Sequence, residues 1–252
     1  MAAFYTIFFI IIGLVMGSFF NVVGLRVPKK ESIVSPSSHC ATCHYELMWF
    51  ELIPVFSYVA LMGRCRKCRS RISPIYPTME LITGLLFGAA YYTLGFGVEL
   101  ATLLIFISML VIIVVSDFAY MLIPDKILLV FGGMILILRF VEPLTPWWDA
   151  LAGGAIGFFL LFFIAIVSKG GMGGGDIKLY AVIGLVLGVK LTLLSFFFAT
   201  FLATFIGIIG ILLGLWSRKQ VIPFGPYIAT ASLIAYFWGN QLIALYMNWF
   251  LY

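Results

Sequence analysis

Cys40-Ala41-Thr42-Cys43 and, after twenty-one intervening residues, Cys65-Arg66-Lys67-Cys68 hold every cysteine of the chain. Two close thiol pairs on separate turns suit the tetrahedral four-sulfur shell of a structural Zn²⁺. The stretch around them, about fifty residues, is too short to bury a sufficient core alone, so a metal clip answers a structural need. Four thiolates leave no open coordination position, which argues against a catalytic zinc. A redox pair would want a βαβ context, and none is seen. His39 and His44 flank the first pair and read as solvated.

The carboxylates outside residues 26–76 are few: Glu80, Glu99, Asp117, Asp125, Glu142, Asp149 and Asp176. An ionisable group beside an apolar span is a functional candidate by default. Asp117 ends a long uncharged run, and Asp176 follows Gly170-Gly171-Met172-Gly173-Gly174-Gly175 at the start of another. Two carboxylates from different helices at equal depth can share one water, which is the equipment for general acid–base hydrolysis of a peptide bond. Glycines before Asp176 would allow φ > 0 and a close approach to an extended peptide. The bland alternative is a flexible loop with a capping aspartate. No P-loop is formed, because Asp176 stands where the Gly-Lys-Ser/Thr ending would be.

These residues must be held by membrane helices. Of 252 residues, 63% are hydrophobic and 10% charged, against roughly 25% charged in an average soluble domain. That excludes a soluble globule, a disordered chain and a disulfide-stapled module. Uncharged runs predict about eight transmembrane helices, over 1–25, 81–98, 100–116, 127–138, 150–168, 179–189, 191–217 and 220–252, with the division near Lys190 the least defined. The first run has no early Lys or Arg, so it is expected to stay as a helix. The organisation expected is a first transmembrane helix, 1–25; a cytoplasmic zinc-binding domain, 26–76; and a membrane-embedded domain, 77–252.

Eight of the fifteen basic residues lie between Arg26 and Arg71, against three acids, Glu31, Glu46 and Glu51. One basic loop in an apolar chain marks a cytoplasmic segment, where thiols stay reduced. Counting spans from there puts Asp117, residues 169–178, Arg218 and Lys219 on the same side, with Arg139 and Lys190 as exceptions. The overall +5 would suggest nucleic acid for a soluble protein; with the charge in one juxtamembrane loop, the lipid bilayer is the partner and nucleic acid is not. Glycines four apart (13/17, 84/88, 153/157, 184/188, 210/214) predict close helix packing.

Taken together, the motifs resemble the bacterial prepilin peptidases, or type IV leader peptidases, which are intramembrane aspartic proteases. Gly173-Gly174-Gly175-Asp176-Ile177-Lys178-Leu179 looks like the family's Gly-x-Gly-Asp segment, and Asp117 through Pro124-Asp125 like its first aspartate motif. Gly17-Ser18-Phe19-Phe20-Asn21, Arg26-Val27-Pro28, Ile53-Pro54, Gly63-Arg64-Cys65, Tyr76-Pro77 and Glu80-Leu81 match as well. The resemblance implies Asp117 and Asp176 as the catalytic pair, with Asp125 reading as the cap of the next helix. It implies cleavage at the cytoplasmic membrane face, between a basic leader and an apolar helix, in type IV prepilin-like precursors serving pili, type II secretion or DNA uptake. Family members with the cysteine loop also methylate the new amino terminus with S-adenosylmethionine; Glu80 and the 26–76 loop are the candidates for that step. Gly173 and Gly175 belong to the motif, and Lys178 either steadies Asp176 or marks the cytoplasmic side. The loop is itself basic, so a basic leader is expected to meet Glu80, Glu46, Glu51 or the aspartates. The competing readings are a cation or solute transporter using Asp117 and Asp176, and an assembly factor without chemistry.

Overall fold

The computed structural model describes residues 1–169, 171–215, 217 and 222–250. Gly170 and the Arg218–Lys219 pair used in the topology count lie outside them. The described chain is helical, with two isolated bridges and no strand. In order it forms α1 (Ala2–Arg26), a 3₁₀ turn (Trp49–Leu52), α2 (Phe56–Ala60), α3 (Ile75–Leu94), α4 (Val98–Tyr120), α5 (Asp125–Val141), α6 (Asp149–Val167), α7 (Gly174–Leu212) and α8 (Gly225–Phe250). A helix lies on every apolar run read from the sequence. Among them α1, α4, α6, α7 and α8 are long and apolar enough to cross a membrane. The protein is an all-α, multi-pass membrane protein. It divides into two compact units, Met1–Ala119 and Tyr120–Tyr252.

In the first unit α1 packs on α3. A Cβ added at Gly13 would stand 2.8 Å from the Gly84 Cα, and one at Gly17 2.8 Å from the Glu80 Cα. Lipid gives helices no hydrophobic drive to associate, so this backbone approach supplies the van der Waals contact. Between α1 and α3 the 26–76 segment folds as two matching knuckles. Cys40 N–H donates to Tyr45 O at 2.9 Å and His44 N–H to Cys40 O at 2.9 Å. Cys65 N–H donates to Ser70 O at 2.9 Å and Arg69 N–H to Cys65 O at 3.0 Å.

In the second unit α5, α6 and α8 pack on α7. A Cβ at Gly184 would collide with the Gly153 backbone of α6. The buried hydroxyls of Ser195 and Ser232 tie α7 to α8 at 2.9 Å. The 39 residues of α7 would run about 58 Å if straight, nearly twice a bilayer core. The helix is interrupted at Gly188, with φ 70° and ψ 179°, two residues before the Lys190 division expected from sequence. Both freed ends are met by charge. Arg139 of α5, buried, donates to Val186 O at 2.9 Å and Leu185 O at 3.3 Å. Asp149 of α6 accepts from Val189 N–H at 3.3 Å. A cation at a carboxyl end and an anion at an amino end each complement the helix dipole. Arg139, an exception to the charge count, thus has a structural partner.

At Gly214 of the 210/214 pair, an added Cβ would meet nothing within 4 Å among the described residues, and the glycine serves a turn instead. It takes φ 71° and closes α7, with Leu215 N–H on Gly210 O at 2.9 Å and Gly214 N–H on Ile211 O at 3.1 Å, the Schellman pattern.

Candidate active site

The four cysteines come together. Their sulfurs all lie within 4.8 Å of one another, with Cys40–Cys68 at 3.7 Å and Cys43–Cys65 at 4.0 Å. Zn–S bonds of about 2.3 Å set a tetrahedral edge near 3.8 Å, and no disulfide competes. Hydrogen bonds from the Cys43 N–H and the Ser70 hydroxyl lower the Cys40 thiol to about 5, and Ser70 lowers Cys68 too. Cys43 receives the Tyr45 N–H, yet partial burial and the neighbouring thiols push it up to about 11. The cluster therefore resists ionising as a whole without a cation, and a divalent metal relieves that repulsion. The donor set fits a metal ion.

Asp117 lies in the last turn of α4, buried beside Ser116 in the first unit. Asp176 lies in the first turn of α7 in the second unit, partly exposed. The glycines before it do a different job from the one expected. Gly173 has φ −68°, and neither Gly174 nor Gly175 takes a positive φ. What matters is the missing side chain. A Cβ at Gly173 would stand 2.8 Å from Asp176 Oδ2, and one at Gly175 2.8 Å from Ile123 Cβ. The first glycine leaves room for the carboxylate, and the second lets the start of α7 sit against the 121–124 segment.

Lys178 pairs with Asp125, its Nζ 2.9 and 2.8 Å from the two carboxylate oxygens. Asp125 makes no capping bond, because Pro124 holds the cap position and Asp125 is the first helical residue of α5. Glu80 is buried, and its Oε2 accepts from Val55 N–H at 2.7 Å, fixing the start of α2. Glu51 is buried and caps the 3₁₀ turn through Met48 N–H at 2.9 Å. Of the acids expected to meet a leader, Glu46 is exposed. The sequence placed Asn21 in the amino-terminal motif, Asp149 among the few carboxylates and Gly188 in a packing pair, but showed the structural role of none of them; the available signals were a lone amide in an uncharged span and ionisable groups flanking apolar runs.

Two family models match the chain in succession: the Bacterial Peptidase A24 N-terminal domain over residues 11–94, and the type IV leader peptidase family over residues 104–208. A prepilin leader peptidase/N-methyltransferase of Bacillus subtilis is 42% identical over 94% of this chain and 96% of its own length. A protein of the same description from Pseudomonas aeruginosa is 32% identical over 95% of this chain and 92% of its own. One from Aeromonas hydrophila is 34% identical over 94% and 92%. No solved structure matches. With relatives aligned end to end and both aspartate motifs inside the second match, the chain belongs to the type IV leader peptidase family.

Proposed function

We propose that this protein removes the basic leader from type IV prepilin-like precursors at the cytoplasmic face of the membrane, and N-methylates the amino terminus so exposed. The observation that carries the reading is the end-to-end similarity to proteins of both activities, with Asp117 and Asp176 inside the peptidase match. Asp117 and Asp176 share the hydrolytic water. One carboxylate takes a proton from it as its oxygen bonds to the scissile carbonyl carbon, and the other, protonated, polarises that carbonyl. The C–N bond then breaks and the proton passes to the departing amine. Gly173 keeps the space around the Asp176 carboxylate open, while Lys178 and Asp125 neutralise each other beside it.

Cys40, Cys43, Cys65 and Cys68 hold one structural Zn²⁺, which ties the two knuckles into the cytoplasmic 26–76 domain between the first helix and the membrane-embedded remainder, 77–252. S-adenosylmethionine, when bound, supplies the methyl group. The transporter reading loses its natural seat. Transporters place cations at interrupted helices, but the break in α7 is already filled by Arg139 and Asp149.

The test is cleavage of a pilin-type precursor by the purified full-length protein. Asp117→Asn and Asp176→Asn should each abolish it while leaving metal content unchanged. Cleavage that survives both substitutions defeats the aspartic mechanism.

A further inference from the structure

For the methylation half of the proposed function, Glu80 and the 26–76 loop have so far been named without a binding site. In the first unit, the carboxyl end of α1, the 26–76 segment and the start of α3 enclose a cavity of about 490 Å³. Small-molecule sites commonly run from about 300 to 1,000 Å³. Asn21 and Glu51 line it, 5% and 7% exposed. Each spends one polar atom on the fold: Asn21 Nδ2 donates to Tyr76 O at 3.1 Å, and Glu51 Oε2 accepts from Met48 N–H. Each keeps one in reserve, since Asn21 Oδ1 and Glu51 Oε1 are buried without a hydrogen-bond partner.

Buried polar atoms without partners are rare and need a reason. Both of these are acceptors, and one belongs to a carboxylate. Glu80 adds a second carboxylate to the wall. What satisfies them must donate hydrogen bonds, and the two carboxylates favour a donor that carries positive charge. Arg26 and Arg71 line the same cavity and complement an anion, so the lining suits the paired ammonium and carboxylate of an amino-acid head group.

We infer that this cavity binds an organic ammonium ligand whose N–H groups are taken by Asn21 Oδ1 and Glu51 Oε1. The ligand's identity rests on the methyltransferase reading. The head group of S-adenosylmethionine carries the ammonium together with a carboxylate for the arginines. The amino terminus of the cleaved substrate carries the ammonium alone.

Glu51→Gln separates the roles of the side chain. It keeps an oxygen for Met48 N–H and turns the unpartnered acceptor into an NH₂ donor. Equilibrium dialysis of the full-length protein uses two probes: methyl-labelled S-adenosylmethionine, and a peptide with a free amino terminus ahead of an apolar helix. Zinc content and melting temperature report folding, and Glu46→Gln, exposed and outside the cavity, is the control. Glu51→Gln should weaken binding of one probe tenfold or more while Glu46→Gln leaves it unchanged. Loss in the first arm assigns the cavity to the methyl donor, and loss in the second alone assigns it to the new amino terminus. A folded Glu51→Gln protein that binds both probes as tightly as wild type overturns the inference. If wild type methylates its substrate in that case, the cavity assignment alone falls. If wild type neither binds the donor nor methylates, the methyltransferase reading falls with it. Photo-crosslinking of the labelled donor to wild type checks the donor arm without any substitution: label within residues 18–80 supports the cavity as the donor's site, and label confined to residues 120–252 overturns that assignment.

Discussion

Gly188→Ala is the sharpest probe of how the second unit holds the helix that carries Asp176 in its first turn. The residue sits at φ 70°, ψ 179°, a region populated essentially by glycine, where another residue costs about 1–3 kcal/mol. A Cβ there would also collide with the Asp149 carboxylate, which accepts from Val189 N–H; losing such a capping contact costs about 0.5–2 kcal/mol. The two together come to roughly 2–5 kcal/mol. Straightening α7 offers no cheap escape, because Leu185 O and Val186 O would have to give up the hydrogen bonds they accept from the buried Arg139 guanidinium. At about 2–4 °C per kcal/mol for a chain of this size, the melting temperature in detergent should fall by roughly 4–20 °C. Asp149→Ala removes only the cap and should cost less. The double variant should be milder than the sum of the two, since the collision is gone once the carboxylate is removed. A Gly188→Ala protein melting within a degree or two of wild type, or a fully additive double variant, would refute this account of the break.

Replacing Cys40 and Cys43 by Ser should reduce zinc from about one per chain to none and expose the 26–76 segment to protease; a metal-free wild type with an ordered segment would sink the clip. The Lys178–Asp125 pair is more than half exposed on both sides, so Asp125→Asn should cost no more than about 1 kcal/mol and hold cleavage within about fivefold of wild type. Loss as complete as in Asp176→Asn would instead transfer the catalytic role to Asp125. A cysteine introduced at Met172 should react with a membrane-impermeant maleimide only after cells are opened, with the unsubstituted protein as background; reaction from outside intact cells would overturn the cytoplasmic assignment.

The clustering of the four cysteines was legible in the sequence, because a tetrahedral metal demands close ligand pairs and such spacing records them. The helices were legible too, since an uncharged run in lipid must satisfy its backbone internally. The aspartates could be singled out because carboxylates beside apolar spans are few. The roles of their neighbours could not. Lys178 is two residues from Asp176 in sequence, yet its charge goes to Asp125, fifty-three residues away, because the start of α7 lies beside the start of α5. Gly173 and Gly175 are there for space rather than for backbone freedom, which only the positions of Ile123 and the Asp176 carboxylate reveal.

The sequence by itself determined the membrane class, the cysteines that cluster and the candidate catalytic side chains, because these follow from composition and local spacing. Tertiary structure alone decided that Arg139 and Asp149 close the two ends of a broken helix, that Glu80 braces Val55, and that Asn21 and Glu51 bring unmatched oxygens to one cavity. Each is a contact between residues far apart in the chain, where the partner is chosen by which backbones can approach closely and which polar atoms remain to be satisfied.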